Sequence, residues 1–348
     1  MFLEVGADVV GAGIVLGVNA MNVMARIGVA DAIARRGLEV ATARITDNHA
    51  KTLTGLDFRA LPRDIGRAVA IHRAALHDAI LTGVRPDSIR LDTTVDEVTE
   101  HPDRVDARLS DGSTHAFDLV VGADGIRSAV RGMVFGEFPL QYSGYTCWRF
   151  VVKANGSDAD TWEMWGRGRR FGVVPIGNGL IYCFTTLNAP HNDPGMRDIA
   201  LDAFKQLFAD FRGPVPGVLN ALTSSDELIW NDLEEIEVLR WTTGRVALLG
   251  DAAHAMTPNM GQGAAMAIED AIVLAELLTQ TSAIADALAQ YEQRRRARVT
   301  QIQTRSRRIG QVAQWESAPA RVVRNLLVSL TPQRVGRRAI EDLARFTP

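Results

Sequence analysis

Two short runs carry the residues whose types and spacing could do chemistry, Gly250-Asp251 and Gly261-Gln262-Gly263. A carboxylate at the carboxyl end of a strand faces the crevice where open α/β sheets bind ligands. Asp251 there could accept two hydrogen bonds from a ribityl or ribose diol. A backbone of glycines lets a flat ring come close, because no Cβ stands in the way. Ala264 follows at once and opens a helix. The free N–H groups and partial positive charge of a helix start favour an electron-rich or anionic ring edge. Pro258 and Gln262 lie inside the same loop. A bare Gly-Asp would read as an ordinary strand–loop–helix connection; the full run GDAAHAMTPNMGQGAAMAIEDA is far more specific.

Those residues need scaffolding, and the pattern supplies it. Val246–Leu249 is a short apolar run of buried-strand length, and Ala264–Leu278 is helical with Ile268, Ile272, Leu274, Ala275 and Leu278 on one side. Upstream, Phe117–Val121 is a strand that runs into Gly122-Ala123-Asp124-Gly125-Ile126-Arg127-Ser128 and then a helix. Asp124-Gly125 forms the turn. Ile71-His72-Arg73 opens another helix, reaching about Leu81. Ser88–Arg90, Val95–Thr99 and Val105–Leu109 read as a β-meander with Asp111-Gly112 at a hairpin turn. From Tyr142 onward β-rich runs dominate: 146–152, 162–165, 170–175 and 180–186. Ala283–Gly310 is helical and basic, expected as a solvated packing helix, and Leu326–Phe346 is a helical tail broken near Pro332.

Near the start, Asp8–Gly17 reads DVVGAGIVLG. Its spacing is G-x-G-x-x-x-G, one residue off the dinucleotide fingerprint, and Asp31 sits in a helical context rather than at a strand end.

Other chemistries find little support. The seven histidines are scattered, His72 and His77 lack i,i+4 spacing, and no metal site is expected. There is no G-x-S-x-G elbow and no Walker A loop. The 348 residues are 47% hydrophobic and 23% charged, ordinary for a globular chain of one large or two medium domains. A net charge of -3 gives no push toward nucleic acid or anionic membranes, so neither is an expected partner. Cys147 and Cys183 are the only cysteines, which fits a cytoplasmic setting.

The Gly250–Asp270 run resembles the second flavin motif of the class A FAD-dependent aromatic monooxygenases, such as the para-hydroxybenzoate and salicylate hydroxylases. Gly250, Asp251, Ala252, Ala253, His254, Pro258, Gly261, Gln262, Gly263, Glu269 and Asp270 carry the match. The DLVVGADGIRSAVR run resembles the family's Asp-Gly motif, His72-Arg73-Ala74-Ala75-Leu76 its His-Arg-x-x-Leu segment, and Tyr291, Glu292, Arg295 and Arg298 its closing helix. Glu4, Val5, Gly6, Ala12, Gly13, Ile14, Leu16, Asn19, Ala20 and Gly28 resemble the stretch after the family's first βαβ unit. On that alignment the glycine-rich unit is expected to be absent.

The resemblance implies an α/β (α+β) fold. A Rossmann-like FAD-binding domain, N-terminally incomplete, would hold an inserted, mostly antiparallel β-sheet substrate domain, with helices at the C-terminus. The expected divisions are 1–140 and 241–310 for FAD, 141–240 for substrate and 311–348 for the tail. It implies cofactor contacts from Arg73, Asp124, Gly125, Gly250, Asp251, Gly261, Gln262, Gly263 and Ala264, and catalytic positions at Pro258, Gly261 and Gln262. Trp148, Arg149, Trp165, Phe171 and Tyr182 are candidates for the substrate cavity. The implied reaction uses FAD, NADH or NADPH and O2, and hydroxylates a small aromatic or heteroaromatic ring through a flavin C4a-hydroperoxide. A monomer or homodimer is expected. Two other readings stay open: a non-catalytic remnant that binds FAD weakly or not at all, and a flavoprotein oxidoreductase or epoxidase acting on a non-aromatic substrate.

Overall fold

A computed structural model describes residues 2–4, 12–153 and 160–346. Val5, Gly6 and the Asp8–Gly11 part of the N-terminal run lie outside the described residues, as does the side chain of Glu4.

The architecture is mixed α/β with antiparallel sheets and C-terminal helices. Its largest sheet has seven strands, in the order Ile229–Glu235, Gln141–Lys153, Leu180–Asn188, Arg169–Gly177, Asp160–Trp165, Thr42–Asp47, Thr52–Asp57. All neighbours are antiparallel except Asp160–Trp165 with Thr42–Asp47. Residues 42–57, expected in the FAD-binding part, supply the sheet's last two strands.

Period-2 alternation gives the sheet two different faces. One turns Trp148, Phe150, Phe171, Val173 and Met164 into a core shared with Phe204, Phe208 and Phe211 from the helical layer behind. The rings meet edge-on, Phe150 and Phe171 at 6.2 Å and 85°, Phe171 and Phe208 at 5.4 Å and 85°, the arrangement that aromatic quadrupoles favour. The opposite face carries Arg149, Tyr182, Phe184, Arg170, Glu163 and Asn231 toward the rest of the molecule.

The described residues also form four smaller sheets and a second core. Val120–Gly122 and Val246–Leu248, both expected as strands, pair in parallel. The meander forms from Val95–Glu100, Val105–Leu109 and Thr114–Phe117; the preceding strand, Ile89–Leu91, leaves it and pairs in parallel with Phe2–Glu4. Gly13–Leu16 is a strand, antiparallel to Val69–His72, and a helix follows at Val18–Arg26. Gly13 thus sits within a strand rather than in a glycine-rich turn, which is the physical reason the fingerprint reading fails. The predicted helices appear as Arg73–Leu81, Gly263–Gln280 and Ile284–Ala313, and the tail as Ala318–Ser329 and Gln333–Ala344 on either side of Pro332.

Candidate active site

Gly250 ends the Val246–Leu248 strand with φ of 62°, a left-handed value that side chains other than glycine rarely adopt. A Cβ there would also stand 2.9 Å from that of Ala267. The turn aims Asp251 into a cavity of about 550 Å³ between the seven-stranded sheet and the loop 256–264. Arg73, Pro258, Gly261, Gly263 and Ala264 line the same space, as do Gly13 and Ile14 from the N-terminal strand. The Asp251 carboxyl is open to the cavity but surrounded by protein. That desolvation raises its pKa above the ordinary carboxylate value, against the opposing charges of His254 and Arg73.

The loop fits a flat, electron-rich ring. Gly261 has φ of 61°, and a Cβ at that position would meet nothing within 4 Å. Its bare backbone thus borders open space. The Gly263–Gln280 helix begins beside it with no side-chain cap and no acidic residue in its first turn. Its leading N–H groups and positive dipole end stay available to a ligand. Pro258 lies in the cavity wall, and its carbonyl accepts the Gly261 N–H at 2.9 Å.

Three predicted cofactor residues play different parts. Gln262 is buried: its Oε1 accepts from Asn19 Nδ2 at 3.0 Å, so the side chain fastens the loop rather than lining it. Asp124 caps the Ala129–Phe135 helix, taking the Val130 N–H at 3.0 Å and the Ser128 hydroxyl. Neither Asp124 nor Gly125 borders the cavity, although Ile126 and Arg127 beside them do.

Beneath the loop is a buried ionic cluster that the sequence pattern hid. Arg295 donates from Nη1 to Glu269 at 2.7 Å and from Nε to Asp270 at 2.7 Å. Arg298 reaches both oxygens of Glu269 at 2.8 Å. Glu269 also accepts from Asn19 Nδ2 at 2.7 Å, and Asp270 from the Gly250 N–H at 3.1 Å and His254 Nε2 at 2.6 Å. The helix expected to be a solvated packing element therefore buries one of its arginines. Leu288, Tyr291, Arg295, Val299 and Ile302 form its inward stripe, at the spacing of an apolar face. That spacing was the available signal; the abundance of arginine around it masked it.

Burial alone would raise the Asp270 carboxyl, but His254 and Arg295 hold it below the usual carboxylate range. A depressed carboxylate contributes stability above its unfolded pKa and loses it as pH falls through the folded one. Acid unfolding followed by circular dichroism is expected to set in below about pH 4, and Asp270→Asn to remove part of that dependence.

Of the five substrate candidates, Arg149 and Tyr182 line the cavity. Trp148 and Phe171 lie on the other sheet face, wholly buried in the aromatic core, because their strand positions have the opposite parity. Trp165 has the right parity but is covered by Arg324, whose guanidinium lies 5.4 Å over its ring. The Tyr182 ring packs on Gly13, where a Cβ would stand 2.4 Å away, and burial pushes its phenol well up, so it remains a donor. Sequence reasoning missed the polar groups beside Arg149. Asn231 Oδ1 accepts from Arg149 Nη2 at 2.6 Å. Arg170 pairs with Glu163 at 3.2 Å and lies 5.4 Å from the Tyr145 ring. Tyr145 in turn accepts from Asn259 Nδ2 at 3.0 Å. These meet through strand register, which no local pattern encodes. Arg149 Nε is buried with no hydrogen-bond partner. Cys147 shares the wall, and burial raises its thiol to about 11.

The model of a protein family described as "FAD binding domain" matches residues 9–306. The chain belongs to the class A FAD-dependent aromatic monooxygenases. It is 38% identical over 343 residues to the aurachin C monooxygenase/isomerase of Stigmatella aurantiaca, spanning 97% of this chain and 89% of that one. It is 37% identical over 341 residues to the 2-heptyl-3-hydroxy-4(1H)-quinolone synthase of Pseudomonas aeruginosa, spanning 96% and 88%. Among solved structures, Klebsiella pneumoniae HpxO complexed with FAD and uric acid superposes with a TM-score of 0.90 at 26% identity, covering 98% of this chain and 89% of that one. This monooxygenase thus has the fold its motifs imply, with the glycine loop, Asp251 and Arg73 gathered around one cavity.

Proposed function

We propose that this monooxygenase uses NADH or NADPH to hydroxylate an electron-rich N-heteroaromatic ring that carries an exocyclic oxygen. The observation that carries the substrate class is Arg149: a guanidinium in the cavity wall, fixed by Asn231, with Nε buried and unpartnered. A buried unpaired donor costs free energy until something accepts from it. A ring carbonyl or oxyanion would do so. Val174, Phe184, Leu233 and Met256 supply the apolar wall for the ring. The relatives named for quinolone, aurachin and urate chemistry support a heteroaromatic over a simple phenol.

The cofactor supplies the chemistry of O2 activation and oxygen transfer. The chain's own residues bind and orient. Asp251 would hold the cofactor's polyol chain, the N–H groups of Gly263 and Ala264 would favour negative charge on its ring, and Arg73 would balance its phosphates. The seven-stranded sheet acts as the roof that excludes water. Two buried free cysteines suit the cytoplasm.

The test is NADH and NADPH consumption with product mass analysis across hydroxy-N-heterocycles, 4-quinolones and phenols. The expected result is a ring product bearing one more oxygen from an N-heterocycle. Oxygenation only of phenols, or only of non-aromatic alkenes, would contradict the substrate class. Arg149→Gln is expected to raise KM about tenfold to a hundredfold, the worth of one charge-assisted bond, while leaving FAD affinity unchanged.

A further inference from the structure

The Ala318–Ser329 helix is packed inside out. Its one fully buried side chain is Arg324. That guanidinium donates to Ala313 O at 2.8 Å, to Gly166 O at 3.4 Å and to Asn325 Oδ1 at 3.0 Å. It is held there, so the helix cannot roll to hide its other side. Val322, Val323, Leu326, Leu327 and Leu330 are between 50% and 68% exposed. At i, i+1, i+4, i+5 and i+8 they share one face. An amphipathic helix on a globular protein ordinarily turns that face inward. Trp315 and Val335, shortly before and after it, are exposed as well.

Basic groups outnumber acidic ones around this strip. From Ser317 to Ile340 the chain carries five arginines and no acidic residue. Arg324 points inward, and Glu316, Glu341 and Asp342 stand at the two ends of the strip. Arg334, Arg337 and Arg338 are exposed on the Gln333–Ala344 helix, which packs on the same Thr52–Asp57 strand as the Ala318–Ser329 helix. Among the described residues only Arg337 of these three has an ion-pair partner, Glu341.

We infer that this face docks on the surface of an anionic lipid bilayer. The aliphatic side chains enter the acyl boundary, and the arginines meet headgroup phosphates. The association is peripheral, since no helix among the described residues is long and apolar enough to cross a membrane. A second copy fits the same face less well. A two-fold contact would set arginines against the same arginines. The net charge of -3 hides this local asymmetry, and the expectation of no membrane partner rested on that total.

The test is co-sedimentation of the full chain with vesicles of phosphatidylcholine alone or mixed with phosphatidylglycerol, beside light scattering for oligomeric state. Binding to the mixed vesicles is expected to exceed that to phosphatidylcholine about tenfold or more, and to weaken in high salt. Arg334→Glu/Arg338→Glu and Leu326→Glu/Leu327→Glu are each expected to lose it by a similar factor. Both pairs are exposed, so unchanged circular dichroism controls for folding. No binding to either vesicle, equal binding to both, or a dimer that Leu326→Glu/Leu327→Glu dissociates would overturn the inference. None of these readouts requires turnover, so failure here is distinguishable from failure of the substrate assignment.

Discussion

Arg295→Ala is expected to lower stability by about 3 kcal/mol or more, the largest effect of any single truncation near the site. The guanidinium is 1% exposed and neutralises two carboxylates that are 0% exposed. Removing it leaves both in a dry interior. Asp270 keeps His254 and the Gly250 N–H, and Glu269 keeps Arg298, which places the loss at the lower end of the range for broken buried pairs. Arg298→Ala removes a partner open to water and is expected to cost about 1 kcal/mol. Urea midpoints compare the two directly. The Arg295 variant should also loosen cofactor binding. The same cluster holds Asn19, and Asn19 holds Gln262 in the glycine loop.

Gly261→Val is expected to abolish measurable FAD binding, a loss of about a hundredfold or more. Two effects combine. A β-branched residue at φ of 61° is strained, and its side chain would project into the open space the ring needs. Asp251→Asn tests the same corner with opposite consequences for the empty protein. Loss of charge-assisted bonds to the ribityl chain should weaken FAD about tenfold to a hundredfold. Yet the free protein should melt at a slightly higher temperature at neutral pH, a small gain because Asp251 is exposed to the solvent of the cavity. Desolvation raises the Asp251 pKa, so its contribution to stability is present below the unfolded value and lost as pH rises through the folded one. Asparagine removes that penalty. The gain should vanish below about pH 4, where the aspartate is protonated in both states.

What the sequence disclosed and what it withheld divide along a physical line. Asp251, Gly261, Gly263 and Ala264 belong to one continuous strand–loop–helix, so local pattern and motif place them together. Arg73 follows for the same reason, from a strand that ends where a helix begins. The substrate side did not yield to this reasoning. Arg149, Asn231, Glu163 and Arg170 come from four strands, and their meeting depends on register across the sheet. Trp148 and Arg149 are adjacent, yet one enters the aromatic core and the other the cavity. Aromatic content marked the strand but could not choose its face. Arg295 misled for the converse reason. In a run of arginines its position on the inward stripe mattered more than its charge.

The most direct measurement is a titration of the purified chain with FAD, followed by flavin absorbance and fluorescence, in parallel with Gly261→Val. Saturable binding with a perturbed visible spectrum is expected for the parent and none for the variant. A folded parent chain that leaves added FAD unbound, or a variant that binds it equally well, would contradict the claim that this glycine loop seats the flavin ring.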